Sequence, residues 1–300
     1  MTVSILLSTY NGAKYLQEQL ESLVQQTYKD FEIIVRDDGS TDNTLEILEN
    51  YNITLLKSTE NVGIKQSFSL LLEYALQNTE SDYFMFCDQD DIWKSDKVEK
   101  TLSAMMKLEK EKVSIPLLVH TDLEIVTQNL EPLHSSFWNY ENINPKYNSL
   151  NRILMHNTIT GCTAMINRKL AILAVPMGSN IIMHDWWIGL IASYFGNIFY
   201  IDEQLIQYRQ HDTNNIGVSK SKIRYLSKFF NRSNILSKYI LQAKEFLQKY
   251  KNYLDKQTID MLEAFISLES QSFFSRRRTL FKYKFFKQGI IKNLGLLVKM

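Results

Sequence analysis

The stretch that decides the fold is residues 3–12, VSILLSTYNG, in which a short apolar run ends in polar and turn-forming residues. Similar stretches follow at 31–42 (FEIIVRDDGSTD) and 83–91 (YFMFCDQDD), and another apolar run lies at 53–56. Between these runs, apolar residues recur every three or four positions, which is typical of amphipathic helices. Helices that alternate with continuously apolar strands predict an α/β fold, with a mostly parallel sheet flanked by helices.

Polar clusters stand where the predicted strands end. In open parallel sheets, ligands bind at the carboxyl ends of the strands. Residues 8–12, 37–42, 61–63 and 88–91 all occupy such positions. The sequence therefore predicts that these four clusters build one site along one edge of the sheet.

The pattern changes after residue 100. The predicted elements there are strands at 117–119, 161–166, 198–201 and 205–208, and a buried helix at 188–195. From about residue 220 the pattern is helical, Lys-rich and aromatic. We therefore divide the chain into a domain at 1–219 and a basic helical C-terminal region at 220–300.

The overall composition excludes several classes of protein. The 300 residues include 34 Lys and Arg against 33 Asp and Glu, so a net charge of +1 does not fit a nucleic-acid-binding polycation. Two cysteines make no disulfide framework and are typical of a reducing cytosol. Apolar runs stay below the roughly 18–20 residues that a membrane-spanning helix needs, and residues 1–12 lack signal-peptide features. We expect a globular protein of the cytosol.

The charge is unevenly distributed along the chain. Residues 220–300 hold 18 basic and 5 acidic residues, whereas residues 1–219 hold 16 basic and 28 acidic residues. The stretch 276–287, RRRTLFKYKFFK, alternates basic with aromatic residues. Two interpretations stay open: a solvated basic face, or a helical region that binds an anionic membrane surface. Nucleic acid is not expected as a partner, because no recognisable reading module accompanies the charge.

The acidic cluster Asp88-Gln89-Asp90-Asp91 is the first candidate for chemistry. On an extended segment Asp88 and Asp90 point the same way, and their converging carboxylates are suited to Mg²⁺ or Mn²⁺ with a phosphate group. An EF-hand is excluded because Ile92 and Trp93 stand where an oxygen ligand and a glycine are required. The alternative is a solvated turn that caps a helix starting near Lys94.

The cluster at 37–42 and Tyr10 are further candidates. A carboxylate there would accept a hydrogen bond from a ligand N–H, and the Tyr10 ring would stack on a base. The alternatives are turn and cap chemistry for Asp, Gly and Ser, and a tyrosine at the edge of the core. Neither a G-x-G-x-x-G nor a G-x-x-x-x-G-K-[ST] motif is present, which leaves Rossmann dinucleotide and P-loop sites unsupported.

Asp185 lies in the stretch His184-Asp185-Trp186-Trp187, ahead of the predicted buried helix. It is a candidate carboxylate base beside aromatic rings; the alternative is a helix N-cap with two packing tryptophans. His211 follows Tyr208-Arg209-Gln210 and is open to a structural or a ligand role. The histidines lack zinc-ligand spacing, and a G-x-S-x-G nucleophile motif is missing.

Taken in order, these motifs resemble the family-2 glycosyltransferases of GT-A type, especially the bacterial rhamnosyltransferase-like members. The matching pieces, which cover about residues 1–215, are SILLSTYNG at 4–12, VRDDGSTD at 35–42, NVG at 61–63, DQDDIW at 88–93, GC at 161–162, HDWW at 184–187 and YRQH at 208–211. Many family members have Glu before the catalytic Asp, whereas His184 stands here, as in rhamnosyltransferase-like members.

The resemblance implies a role for each site residue. Tyr10 would stack on uracil or thymine and Asp38 would accept its N3–H, while Thr9 and Arg36 would line the same pocket. The nucleotide diphosphate and a divalent cation would be held by Asp88, Asp90, Asp91 and His211. Asp185 would be the general base.

The chemistry implied is an inverting sugar transfer. A carboxylate takes the proton of the attacking hydroxyl, and a metal ion neutralises the leaving diphosphate. We expect the donor to be dTDP-L-rhamnose and the acceptor a lipid-linked envelope or capsular glycan, with the protein cytoplasmic or peripheral on the inner face of the membrane. The alternatives are another sugar from a UDP donor, an inactive scaffold of polysaccharide assembly, and a retaining or nucleotidyl-transferring enzyme.

Overall fold

A computed structural model describes residues 1–211 and 235–299. In this part of the chain, nine strands form one mixed sheet. They are β1 (Val3–Thr9), β2 (Phe31–Asp37), β3 (Thr54–Lys57), β4 (Tyr83–Cys87), β5 (Ile92–Trp93), β6 (Leu117–Thr127), β7 (Pro132–His134), β8 (Met165–Asn167) and β9 (Asn197–Gln210).

The N-terminal half of the sheet is parallel, as predicted. Its strands lie in the order β3-β2-β1-β4, with Leu7 opposite both Val35 and Cys87. The connecting helices are α1 (Ala13–Val24), α2 (Thr44–Leu48) and α3 (Ile64–Asn78), and α4 (Lys97–Glu111) follows β5. This register brings the ends of β1, β2 and β4 to the same edge.

The second half of the sheet is mixed in direction and corrects three predictions. The run at 161–166 is a 3₁₀ turn, Gly161–Thr163, followed by β8, which pairs antiparallel with both β4 and β6. The runs at 198–201 and 205–208 are one strand, β9, parallel to β6 along its whole length. The helix predicted near Lys94 starts at Lys97, because Ile92–Trp93 pairs with β9 as a short strand.

The helices that follow β7 complete the fold. They are α5 (Phe137–Glu141), α6 (Leu150–Ile153), α7 (Arg168–Ala174), α8 (His184–Phe195), α9 (Ile235–Tyr250), α10 (Lys256–Ile266), α11 (Phe273–Tyr283) and α12 (Ile290–Lys299). Among the described residues, no helix combines the length and the apolar character that crossing a membrane requires.

Two hydrophobic cores cover the two faces of the sheet, because successive strand residues point to opposite faces. On β1, Ile5 and Leu7 pack with helices α1 and α4, whereas Leu6 packs with α3 and α8. The second core continues into the C-terminal helices through Phe246 and Phe265, which are fully buried. The C-terminal helices therefore pack as one body with the sheet. The boundary predicted at 219 lies outside the described residues and stays a prediction.

Candidate active site

The first part of the site is an ion pair at the end of β2. The Arg36 guanidinium contacts the Asp38 carboxylate, and both side chains are buried. The other oxygen of Asp38, Oδ2, accepts a hydrogen bond from the Gly63 backbone N–H at 3.1 Å. Burial lowers the pKa of Arg36, and the neighbouring Asp37 opposes this effect. A carboxylate offers about four lone-pair directions, so Asp38 keeps acceptor capacity toward a ligand.

Asp37 has a different task from Asp38. Its carboxylate accepts hydrogen bonds from the Thr9 hydroxyl at 2.9 Å and from the Ser40 N–H at 2.9 Å. Gly39, which lies between Asp38 and Ser40, has a φ of +81°, a conformation that favours glycine. A side chain at this position would also press on the Thr59 backbone. Asp37 and Thr9 therefore fix the turn that presents Asp38.

Tyr10 projects from the end of β1, with 46% of its surface exposed. Its main chain is held twice by one side chain. The Tyr10 N–H donates to Gln89 Oε1 at 2.9 Å, and Gln89 Nε2 donates to the Tyr10 carbonyl at 3.2 Å. A Cβ at Gly12 would overlap the Gln89 amide, so a larger residue there would have to displace this amide from Tyr10. Gln89 thus ties the loop after β1 to the acidic loop after β4.

The acidic loop after β4 concentrates negative charge. Burial, followed by the charges of Asp90 and Asp185, raises the pKa of Asp88 to about 7. Burial and the charges of Asp90 and Asp88 raise the pKa of Asp91 well above its ordinary value. Ligating atoms of Asp88, Asp91 and Cys162 lie within 4.8 Å of one another. Burial and this crowding together disfavour ionisation of Asp88 and Asp91, and a divalent cation would relieve the repulsion.

His211 joins the same cluster from the end of β9. Its Nε2 lies 2.9 Å from Asp90 Oδ2, and its ring packs 4.8 Å from the Tyr15 ring. Asp91 is fully buried, and its Oδ1 accepts a hydrogen bond from the Arg209 N–H at 3.1 Å. Asp90 and His211 are thus the outer members of the cluster, and Asp91 lies beneath them.

Two basic side chains support the acidic loop from inside. Arg209 is 2% exposed; its Nε donates to the Asp90 carbonyl at 2.9 Å, and another nitrogen bonds Glu18. The Lys97 ammonium is fully buried 3.5 Å over the Trp93 ring, and burial lowers its pKa to about 7. The sequence analysis did not predict these supporting roles, although Arg209 belongs to the motif at 208–211. The contacts of Arg209 join the end of β9 to residues that are distant in the sequence.

Asp185 faces the cleft from the first turn of α8. Its Oδ2 accepts from the Gly161 N–H at 3.1 Å and its Oδ1 from the Trp186 N–H at 2.6 Å. The residue is 8% exposed, and burial raises the pKa of Asp185 to about 7. The N-cap of α8 is Met183, so the alternative of Asp185 as an N-cap is not what the structure shows. A carboxyl group with this pKa is suited to proton abstraction near neutral pH.

The preceding His184 is a neutral packing residue. Its ring lies 4.1 Å from Phe68 and 5.2 Å from Phe86, and burial lowers its pKa to about 3. A Cβ at Gly161 would collide with this ring, so the glycine lets the 3₁₀ turn approach α8. The contact places the Gly161 N–H against Asp185.

The structure brings the residues proposed from sequence to one edge of the sheet. Four come from the ends of β1 and β2, three from the loop after β4, one from α8 and one from the end of β9: Thr9, Tyr10, Arg36, Asp38, Asp88, Asp90, Asp91, Asp185 and His211. The arrangement combines an exposed aromatic ring with a buried carboxylate, an acidic centre and a separate buried carboxyl group, which together are typical of a nucleotide-dependent transferase of the GT-A type.

Comparison with known proteins gives the family. Residues 4–172 match the glycosyl transferase family 2, and the chain belongs to that family. The dTDP-rhamnosyl transferase RfbG of Shigella flexneri is 30% identical over 238 residues, which cover 73% of this chain and 76% of RfbG. The protein is therefore a glycosyltransferase that transfers a sugar from a nucleotide-sugar donor.

Solved structures share the fold. Residues 1–349 of Staphylococcus aureus TarS, in complex with UDP-GlcNAc, superpose with a TM-score of 0.58 and 18% identity, covering 94% of this chain and 80% of that fragment. The mannosyltransferase PcManGT of Pyrobaculum calidifontis, in complex with GDP-Man and Mn²⁺, gives a TM-score of 0.54 and 16% identity, covering 94% of this chain and 73% of PcManGT. At these identities the likeness concerns the GT-A fold, which is the fold predicted from the sequence.

Proposed function

We propose that the protein is an inverting, metal-dependent rhamnosyltransferase, which moves L-rhamnose from dTDP-L-rhamnose to a lipid-linked envelope or capsular glycan on the cytoplasmic side of the membrane. The observation that carries the inverting mechanism is Asp185, a buried carboxyl group that lies on another element than the acidic loop, is oriented by two backbone N–H groups and has a pKa of about 7. The similarity to RfbG supports the donor.

Asp185 accounts for the proton. An acceptor hydroxyl is a weak nucleophile, so a base must remove its proton while it attacks the anomeric carbon. The two backbone N–H groups on Asp185 fix the carboxylate in one orientation. The C–O bond to the diphosphate breaks as the new glycosidic bond forms, and the hydroxyl proton passes to Asp185. No covalent sugar–enzyme intermediate is involved.

The acidic loop is the proposed site of the diphosphate and the cation. Carboxylate and imidazole groups suit Mg²⁺ or Mn²⁺. Burial raises the pKa of Asp88, and the charges of Asp90 and Asp185 raise it further; a cation would remove this repulsion between charges. Asp88, Asp90 and His211 would hold the ion and the phosphates, with Asp91 closing the cluster from below. When bound, the ion neutralises charge on the leaving diphosphate.

The pocket between β1 and β2 is proposed to bind the base. The exposed Tyr10 ring provides a stacking surface, and the free capacity of Asp38 can accept the N3–H of thymine or uracil. Arg36 holds the Asp38 carboxylate in place, and Thr9 fixes the neighbouring turn. A purine has no N–H in the same position relative to its sugar, so purine nucleotides should bind poorly.

A donor screen tests the proposal. Hydrolysis of dTDP-L-rhamnose, UDP-sugars and GDP-mannose should be measured with Mn²⁺ and with EDTA, together with thermal stabilisation by each nucleotide. We expect metal-dependent hydrolysis of dTDP-L-rhamnose. Preference for a UDP-sugar would replace the donor but keep the mechanism, whereas tight binding of GDP would contradict the base pocket. An inactive scaffold would hydrolyse none of them.

A further inference from the structure

Helix α11 presents an aromatic and basic face to solvent. Phe274, Arg278 and Phe281 recur at i, i+4 and i+7, which places them on one side of the helix. Phe274 is 81% exposed and Phe281 is 60% exposed. Two large aromatic rings that are exposed on one side of a helix, two turns apart, indicate an interaction surface.

The opposite side of α11 is firmly held, so the exposed rings stand on a fixed support. Leu280 is fully buried in the core. The Tyr283 carbonyl accepts from Asn151 Nδ2 at 2.9 Å, and Arg277 bonds the Leu297 carbonyl of α12. The exposure of Phe274 and Phe281 therefore follows from the way the helix is anchored.

The segment that carries this face has only positive charges. Residues 271–299 hold eight Lys and Arg and no Asp or Glu. Among the described residues, no carboxylate forms an ion pair with Arg278, Lys282 or Lys284. Phenylalanines have no hydrogen-bonding group, so they are suited to an acyl boundary, while adjacent cations are suited to anionic headgroups.

We propose that the outward face of α11, defined by Phe274, Arg278, Phe281 and Lys282, inserts into the headgroup region of an anionic lipid membrane. The phenylalanine rings of this face are exposed and carry no hydrogen-bonding group, so they are suited to the acyl boundary of a membrane. The purpose of this docking rests on the proposed lipid-linked acceptor; the docking itself does not.

The fold connects this face to the proposed base. Asn151 of α6 bonds α11, and Trp186, next to Asp185 on α8, donates from its indole to the Ile153 carbonyl of α6 at 2.6 Å. One short helix thus separates α11 from the helix that carries Asp185. Docking through α11 would hold the helix that carries Asp185 near the surface where the proposed lipid-linked acceptor resides.

Co-sedimentation of the full-length protein with vesicles tests the proposal. Vesicles of phosphatidylcholine alone are compared with vesicles that also contain phosphatidylglycerol, at low and high salt. We expect binding only with phosphatidylglycerol and release by salt. Replacing the two cations, Arg278→Gln with Lys282→Gln, should weaken partition on the order of 30-fold, since each cation near an anionic surface accounts for about fivefold. Replacing the two rings, Phe274→Ser with Phe281→Ser, should weaken it at least about tenfold.

Matched controls lie on α4, where Lys107 and Lys110 are exposed. The change Lys107→Gln with Lys110→Gln removes the same charge and should leave partition unchanged. Equal binding to neutral vesicles, or equal loss in the α4 and α11 variants, would overturn the proposal, as would binding that responds to DNA but not to lipid. Donor hydrolysis needs no membrane. If the wild type and all the variants failed to hydrolyse the donor, that result would count against the proposed function and not against the docking.

Discussion

The change Asp185→Asn is expected to make the protein inactive and more stable at the same time. Asn has nearly the shape of Asp but takes up no proton at neutral pH. Removing a general base typically lowers kcat about 10²–10⁴-fold. In the wild type, kcat should fall about tenfold per pH unit below the pKa of about 7, because the carboxyl group is then protonated.

The expected gain in stability follows from the raised pKa. The folded-state pKa of Asp185 is about 7, against an ordinary value of 3.8, so its ionised form is disfavoured in the folded protein. A shift of about three units corresponds to about 4 kcal/mol of lost stability above pH 7, and this loss disappears as the pH falls toward the ordinary value. The Asn amide leaves one of the two N–H donors unpaired, which costs about 1–3 kcal/mol. The net gain is about 1–3 kcal/mol at about pH 8.

Chemical denaturation of both proteins at about pH 8 and about pH 5 provides the measurement. The advantage of the variant should shrink by about 2–3 kcal/mol between the two pH values, because the wild-type carboxyl group becomes largely protonated. Asp255→Asn is the control. Asp255 accepts the Thr258 N–H at 2.8 Å at the start of α10, and this hydrogen bond lowers the pKa of Asp255. That variant should lose stability near neutral pH and keep full activity.

Two results would refute the reasoning about Asp185. Near-wild-type turnover at saturating acceptor would mean that another group takes the proton. A stability difference between wild type and Asp185→Asn that does not change with pH would mean that the carboxyl group is not disfavoured in its ionised form. Binding of nucleotide diphosphate should stay nearly unchanged in either case, which separates catalysis from donor binding.

Three further predictions concern the donor site. Asp90→Ala should weaken nucleotide diphosphate binding and remove its dependence on Mn²⁺; equal affinities with and without EDTA in both proteins would contradict the metal site. Asp38→Ala and Tyr10→Ala should raise the donor KM more than they lower kcat, because a base pocket contributes equally to ground and transition states, and a pure kcat effect would argue against the pocket. Arg209→Gln should weaken donor binding and lower the free energy of unfolding by about 2–5 kcal/mol, because it breaks a buried charged network. Denaturation with and without nucleotide measures both effects, and an unchanged midpoint would exclude the supporting role.

The parallel half of the fold could be predicted because its signals are local. Each apolar run in residues 3–87 ends in its own polar cluster, and the sheet rule alone brings these ends together. Asp38 and Asp88 could thus be placed in one cleft without knowledge of a contact between them. The strand boundaries agree closely with the predicted runs, for example Tyr83–Cys87.

The remainder could not be predicted because it depends on contacts between distant segments. The three residues of β8 reverse direction between β4 and β6, and no period can be read from so short a strand. The fully buried Lys97 is a residue type that is usually solvated, and only the tertiary packing of α4 explains it. The long pairing of β9 with β6, which delivers His211 to the acidic loop, likewise joins segments about 80 residues apart.

The two hydrogen bonds between the Gln89 amide and the Tyr10 main chain make the shape of the loop independent of the side chain at position 10. Gln89 hydrogen-bonds the backbone N–H and carbonyl of Tyr10 and makes no hydrogen bond to its ring. The Asn11 and Gly12 N–H groups also donate to the Ser40 and Thr44 hydroxyls. The shape of the loop therefore depends on these contacts and on Gln89, and not on the ring at position 10. Under the base-stacking role proposed for Tyr10, the ring could be exchanged to suit another base while the loop keeps its shape, which would make donor preference a property of one exposed position.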